Sequence, residues 1–158
     1  MKNIFKIKDD EIDDIELGAL ILIIKRSYSL HLDHILKKYN ITGTQSLFIK
    51  TLSKKNNVSQ EYFAELFHLN EGTVTRTLQK LEEKNLIKRE EDPLNKRKKI
   101  VSLTKKGKEL SSTLKNVNQE LEQKLYGELK IEEQRKLKIQ LKNIAINAIE
   151  SDIKEQTN

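Results

Sequence analysis

The sequence predicts a mainly α-helical fold with one small β-hairpin, and three observations carry that prediction. Two short amphipathic segments meet at a tight polar turn between Phe67 and Glu71. Two strand-like runs flank the chain's single proline, Pro93. Longer segments outside these, about Ile12 to Tyr39 and from Thr104 onward, repeat apolar residues at helical spacing. The 158 residues suit one domain, or one domain with an oligomerisation extension. With 36% hydrophobic residues, part of the core is expected to be completed by a partner subunit.

The first helix is expected over about Ile12 to Tyr39, where Ile12, Ile15, Ala19, Leu22, Ile23, Leu30, Ile35 and Leu36 fit helical spacing. The extra apolar residues from Leu17 to Ile24 suggest a helix covered on most sides, as in a dimer core. Thr42-Gly-Thr-Gln45 fits a capping box that opens a second helix with Leu47, Phe48, Thr51 and Leu52. Ser59 is the next N-cap, before Phe63, Ala64, Leu66 and Phe67. Asn70 caps a further helix whose Val74, Leu78 and Leu81 form one stripe. Two short helices joined this way make a helix-turn-helix pattern. Leu86 to Glu91 and Arg97 to Leu103 then read as two strands around Asp92-Pro93-Leu94-Asn95-Lys96. Asn95 is expected to accept positive φ in that turn, and the hairpin is a basic-tipped wing. Thr104 caps a long helix through Leu110, Leu114, Val117, Leu121 and Leu125. A last one, about Glu132 to Glu150, carries Leu137, Leu141, Ile144, Ala145 and Ala148; both seams suit packing against other long helices.

Charge points to a polyanion. Twelve basic residues lie between Arg76 and Lys108 against five acidic ones, so this window holds +7 while the whole chain is +6. A basic surface with pI near 9.3 suits nucleic acid. Six acids within residues 9–16 should keep that segment away from phosphate. The lack of cysteine excludes disulfides, thiolate catalysis and cysteine-based zinc sites. No apolar run reaches membrane-span length and no signal-peptide core is present, so a cytoplasmic protein is expected. No G-x-S-x-G, P-loop, dinucleotide fingerprint or H-E-x-x-H occurs, and no enzyme activity or cofactor is expected.

Four stretches together resemble the MarR family of winged-helix transcription regulators: Ile41-Thr-Gly-Thr-Gln45, the helix Val74 to Leu81, Asn85-Leu-Ile-Lys-Arg89, and the wing Asn95-Lys-Arg97-Lys-Lys-Ile-Val101-Ser-Leu103-Thr104. The likeness spans about Ile12 to Ile149. In the wing, Asn95 stands where the family pattern has Asp. The resemblance implies a single domain over 1–158, with a winged helix-turn-helix at 42–103 and dimerisation helices at 10–40 and 104–150. It also implies a homodimer that binds double-stranded DNA at a pseudo-palindromic operator, a repressor released by a small ligand such as an aromatic acid. The alternative is a winged-helix protein-interaction module without sequence-specific DNA binding.

The expected DNA-contacting residues follow from that docking. The second short helix enters the major groove with Glu71, Gly72, Thr73, Thr75, Arg76, Gln79 and Lys80 available. Arg76 is the best reader of guanine O6 and N7, and Gly72 lets the backbone approach closely. Thr44, Ser59 and Gln60 stand at helix starts that favour phosphate, where each also suffices as a capping-region residue. Arg97 is expected in the minor groove, with Lys96, Lys98 and Lys99 near phosphates and one of them pointing away. For an effector, Tyr28, His31 and Ile35 share a face of the first helix, with Phe48 and Leu52 opposite. His31 and His34 with Asp33 between them are too sparse for a structural metal, and a regulatory one stays open.

Overall fold

The computed structural model describes residues 15–93 and 95–156, and of residues 96, 97 and 152–156 it describes the backbone only. Ile12, the acids of residues 9–14 and the side chains of Lys96 and Arg97 therefore lie outside what is described. The order is α1 (Leu17–Leu36), a 3-10 turn (Lys37–Tyr39), α2 (Gly43–Lys54), β1 (Val58–Ser59), α3 (Gln60–Phe67), α4 (Glu71–Glu83), β2 (Ile87–Asp92), β3 (Asn95–Leu103), α5 (Lys105–Tyr126) and α6 (Ile131–Gln156). The fold is mainly α with one small sheet, as the sequence predicts. The chain divides into two compact units, Met1–Val117 and Asn118–Asn158.

In the first unit the expected caps form. Thr42 Oγ1 accepts from the Gln45 N–H at 3.3 Å while Gln45 Oε1 accepts from the Thr42 N–H at 3.2 Å, closing the capping box of α2. Ser59 Oγ accepts from the Tyr62 N–H, and Asn70 Oδ1 accepts from the Thr73 N–H at 2.8 Å. His68 ends α3 at φ 48°, and Asn40, Asn57 and Asn85 also hold positive φ, where a short polar side chain strains least. The core gathers Leu36, Phe48, Ile49, Leu52, Phe63, Val74, Leu78, Leu81 and Val101, each at most 1% exposed. Phe48 stacks on Phe63 and Phe67 with ring centroids 4.3 and 5.8 Å away, locking α2 to α3.

The sheet has three antiparallel strands in the order β1-β3-β2. Two details depart from the sequence reading. The two-residue β1, too short for any periodicity to show, adds Val58 opposite Val101. Asn95 is not a positive-φ turn residue: it opens β3 and pairs with Asp92. The register passes from Glu91↔Lys99 directly to Asp92↔Asn95, so Lys96, Arg97 and Lys98 form a bulge on the β3 side. At the base of the wing, Thr104 Oγ1 donates to the Asn85 carbonyl at 2.8 Å and accepts from the Gly107 N–H at 3.1 Å. Gly107 presses so closely on the wing that a Cβ there would lie 2.0 Å from the Leu86 carbonyl oxygen.

Helix α1 leaves Leu17, Ile21, Leu22, Ile24 and Leu30 exposed in the single chain. In the second unit, Gly127 turns the chain at φ 55° and the Glu133 carboxylate accepts from the Lys130 N–H at 2.7 Å, starting α6. Lys138 lies against Tyr126 and Glu122, which hold its ammonium above the ordinary pKa. This unit exposes Leu125, Ile131, Ile139, Leu141 and Ile146.

Candidate nucleic-acid interface

Helix α4 is divided lengthwise. Val74, Leu78 and Leu81 are fully buried, whereas Glu71, Gly72, Thr75, Arg76, Gln79 and Lys80 are all exposed. Spacing dictates this division, since residues four and seven positions apart share a helix face. Thr73 is half-buried: its N–H is capped by Asn70 and its carbonyl accepts from Thr77 Oγ1, which gives it a structural role at the helix start. Arg76 Nε donates to the Gly72 carbonyl at 3.1 Å, which steadies the guanidinium and leaves its terminal nitrogens as donors. Gln79 turns its amide toward Glu83, at 3.1 Å.

Some of the contacts that shape this face are invisible in the sequence. Gln60 Nε2 donates to Thr75 Oγ1 at 2.7 Å, so the start of α3 braces the exposed face of α4. Ser59 is occupied twice, as the cap of α3 and as a hydrogen-bond partner of Glu61. The Glu61 carboxyl is held below its ordinary pKa by its own backbone N–H, then by Ser59 and by the charge of Lys98. Thr44 stands exposed in the first turn of α2.

The basic window proves to be two populations. Arg89 donates through Nε, at 2.9 Å, and through a terminal nitrogen to Glu82, tying β2 to the end of α4 and holding the Glu82 carboxyl below its ordinary pKa. Lys84 donates to Gln45 Oε1 at 3.1 Å and to the Asn40 carbonyl, Lys106 donates to the Lys84 carbonyl, and Lys88 pairs with Glu90 at 2.6 Å. These four staple the fold or are neutralised. Among the described side chains of the window, Arg76, Lys80, Lys98, Lys99, Lys105 and Lys108 remain exposed with charge to offer. The charge of Lys98 acts on Glu61 and that of Lys99 on Glu82.

The effector candidates are not gathered on one open surface. Tyr28, His31 and Ile35 are half-buried on α1. Phe48 belongs to the ring stack with α3 and Leu52 to the core, so a ligand reaches either only by displacing packed side chains. Among the described residues no group of three or more His, Asp or Glu is gathered as metal ligands, and no helix is long and apolar enough to cross a membrane.

A model of the MarR family matches residues 41–99, from the start of α2 to the wing. The HTH-type transcriptional regulator SarZ of Staphylococcus epidermidis is 30% identical over 84 residues, 53% of this chain and 57% of the relative. MgrA of Staphylococcus aureus, named in the same way, is 30% identical over 95 residues, 60% and 63% of the two chains. The chain thus spans a little over half the length of the first curated relatives it matches. Solved structures align over more. A structure of the transcriptional regulator SlyA superposes with TM-score 0.81 at 27% identity, covering 87% of this chain and 96% of the other. One of MarR gives 0.75 at 29%, covering 88% and 95%, and an S. aureus MepR–DNA complex gives 0.78 at 26%, covering 84% and 98%.

Proposed function

We propose that this chain, which belongs to the MarR family, is a non-enzymatic, DNA-binding transcription regulator that reads duplex DNA with α4 and grips the flanking backbone with its wing. The observation that carries this is the division of α4: an apolar face fully buried, and an exposed face bearing Thr75, Arg76, Gln79 and Lys80 next to a basic hairpin. A helix presented in this way fits the major groove, where the fork of Arg76 matches guanine O6 and N7. The remaining contacts in this reading are Thr44, Ser59, Gln60, Glu71, Gly72 and Thr73 at helix starts, and Lys96, Arg97, Lys98 and Lys99 on the wing. Residues 42–103 form the DNA-binding region of one domain, flanked by dimerisation segments 10–40 and 104–150.

The finer parts of the reading are a cytoplasmic homodimer, a pseudo-palindromic operator, repression, and release by a small aromatic acid near Tyr28, His31 and Ile35. The exposed leucines and isoleucines of α1 support the dimer, since water-exposed apolar stripes of this kind belong in an interface. Selection of bound duplexes from a random library, with light scattering of the free protein, tests these points together. The expected result is an enriched inverted repeat and a mass of twice 18.5 kDa. No enrichment, or a monomer, contradicts them.

A further inference from the structure

A groove runs between α2 and α3 on the side of α3 turned away from α4. Gln60 and Ala64 face α4, lining a small hollow with Glu71 and Val74. Tyr62 and Leu66 lie two residues further on, about 200° around the helix at ~100° per residue, and line the groove instead. Its volume is about 330 Å³. The apolar lining is Leu47, Tyr62, Leu66 and the edge of Phe67, and both leucines are well exposed, at 41% and 46%. Around it stand Lys50, Lys54 and Lys55, with the Lys55 ammonium 4.4 Å from the Tyr62 ring centroid. Leu47, Lys50 and Lys54 follow an i, i+3, i+7 stripe on the outer face of α2, opposite the buried Phe48, Ile49 and Leu52.

We propose that this groove docks an acidic peptide segment that inserts an aliphatic or aromatic side chain between Leu47 and Leu66. The choice of occupant rests on charge complementarity. Some lysines elsewhere on the chain are met by acceptors, as in Lys88–Glu90, Lys138–Glu122 and the bonds of Lys84. Among the described residues Lys50, Lys54 and Lys55 make no ion pair, although Lys50 and Lys54 repel each other at i, i+4. Nucleic acid accounts for the lysines but not for an apolar lining beneath them. An uncharged apolar partner accounts for the leucines but gains nothing from three cations. A carboxylate-rich segment with one or two buried anchors uses both, with the anchor supplying affinity and the rim charges supplying on-rate and selectivity. Because the groove lies on the far side of α3 from α4, the peptide and a duplex on α4 can bind together. The proposal stands whether or not α4 reads DNA.

The test uses the full chain and a labelled synthetic peptide of about a dozen residues, rich in Asp and Glu with Leu and Phe at helical spacing. Anisotropy should show saturable binding that survives a saturating concentration of duplex DNA. Leu47→Ala with Leu66→Ala should weaken it at least tenfold, Lys50→Gln with Lys54→Gln should weaken it several-fold and flatten its salt dependence, and Lys142→Gln on α6 should change nothing. A peptide with alanine at the anchors should lose binding. Both leucines are exposed, so the double variant should keep the wild-type melting curve. If it does not, Lys50→Glu with Lys54→Glu and a lysine-substituted peptide test the same surface by charge reversal. The proposal is overturned if the alanine-anchored peptide binds equally, if duplex DNA displaces the peptide, or if Leu66→Ala alters only the oligomeric mass, which would make a second copy the occupant.

Discussion

Replacing Gly72 by alanine separates two demands that meet at one residue. For the free protein glycine is a cost, since within a helix it is less favourable than alanine by roughly 0.5–1 kcal/mol. Nothing in the fold asks for it. A Cβ at that position would have Asn70 Oδ1 at 3.6 Å and an Arg76 terminal nitrogen at 3.9 Å as its nearest neighbours, both ordinary contacts. Gly72→Ala should therefore leave the melting temperature unchanged or raise it slightly. On DNA the sign reverses. With the first turn of α4 seated against the duplex, an added methyl must push the helix back or deform the contact. Forcing a methyl into a close-packed contact costs about 1–3 kcal/mol, which is roughly 5- to 150-fold in Kd. Thermal denaturation by circular dichroism and anisotropy on a selected duplex measure the two signs on the same sample. If the variant is stable and binds as tightly as wild type, the backbone of this turn does not approach DNA and the docking geometry is wrong.

Arg76→Ala should cost about 1–3 kcal/mol on the preferred duplex and relax base preference at one position; equal loss on random duplexes would make Arg76 a phosphate contact. Gly107→Ala should destabilise the fold by about 1–3 kcal/mol or more, read as a lower urea midpoint, because its Cβ would collide with the Leu86 carbonyl. Arg89 holds the Glu82 carboxyl low, so the pair's contribution is complete at neutral pH and disappears as pH falls through the folded-state pKa. Glu82 is 39% exposed, so Glu82→Gln should cost only about 0.5–1 kcal/mol at pH 7 and should flatten the acid limb of the stability profile. On the wing, Lys98→Ala should lower the log–log salt slope by ~0.9 on every duplex. Asn95→Asp, which the family pattern alone would favour, should instead loosen the wing at neutral pH, because it sets a second carboxylate opposite Asp92. Proteolysis at the hairpin is the readout, and unchanged cleavage would count against that pairing.

Much of this was legible because local rules and tertiary demands agree. The Thr42–Gln45 box, the Ser59 and Asn70 caps and the Val74–Leu78–Leu81 stripe each follow from spacing alone, and each forms. What spacing could not supply is partnership across the chain. The Gln60–Thr75 bond, the Arg89–Glu82 tie and the Lys84 and Lys106 staples join residues seven to 44 positions apart, and they divide a basic window that reads as uniform into structural and available charge. Strand β1 leaves no signal in the sequence because two residues have no period, and the stack of Phe48 on Phe63 and Phe67 leaves none because a helix pattern does not say which neighbour a buried ring meets. Residue preference alone puts Asn95 in the turn, whereas pairing with Asp92 and the bulge at residues 96–98 decide its conformation.

The most direct test of the central claim is the affinity of the full chain for a library-selected duplex and for a scrambled one of equal length and composition, titrated at several salt concentrations. A regulator that reads DNA through α4 should prefer the selected duplex by about 10³-fold or more. Both affinities should fall steeply with salt, and Arg76→Ala should erase most of the preference. Equal affinity for the two duplexes at every salt, with Arg76→Ala behaving as wild type, would contradict it.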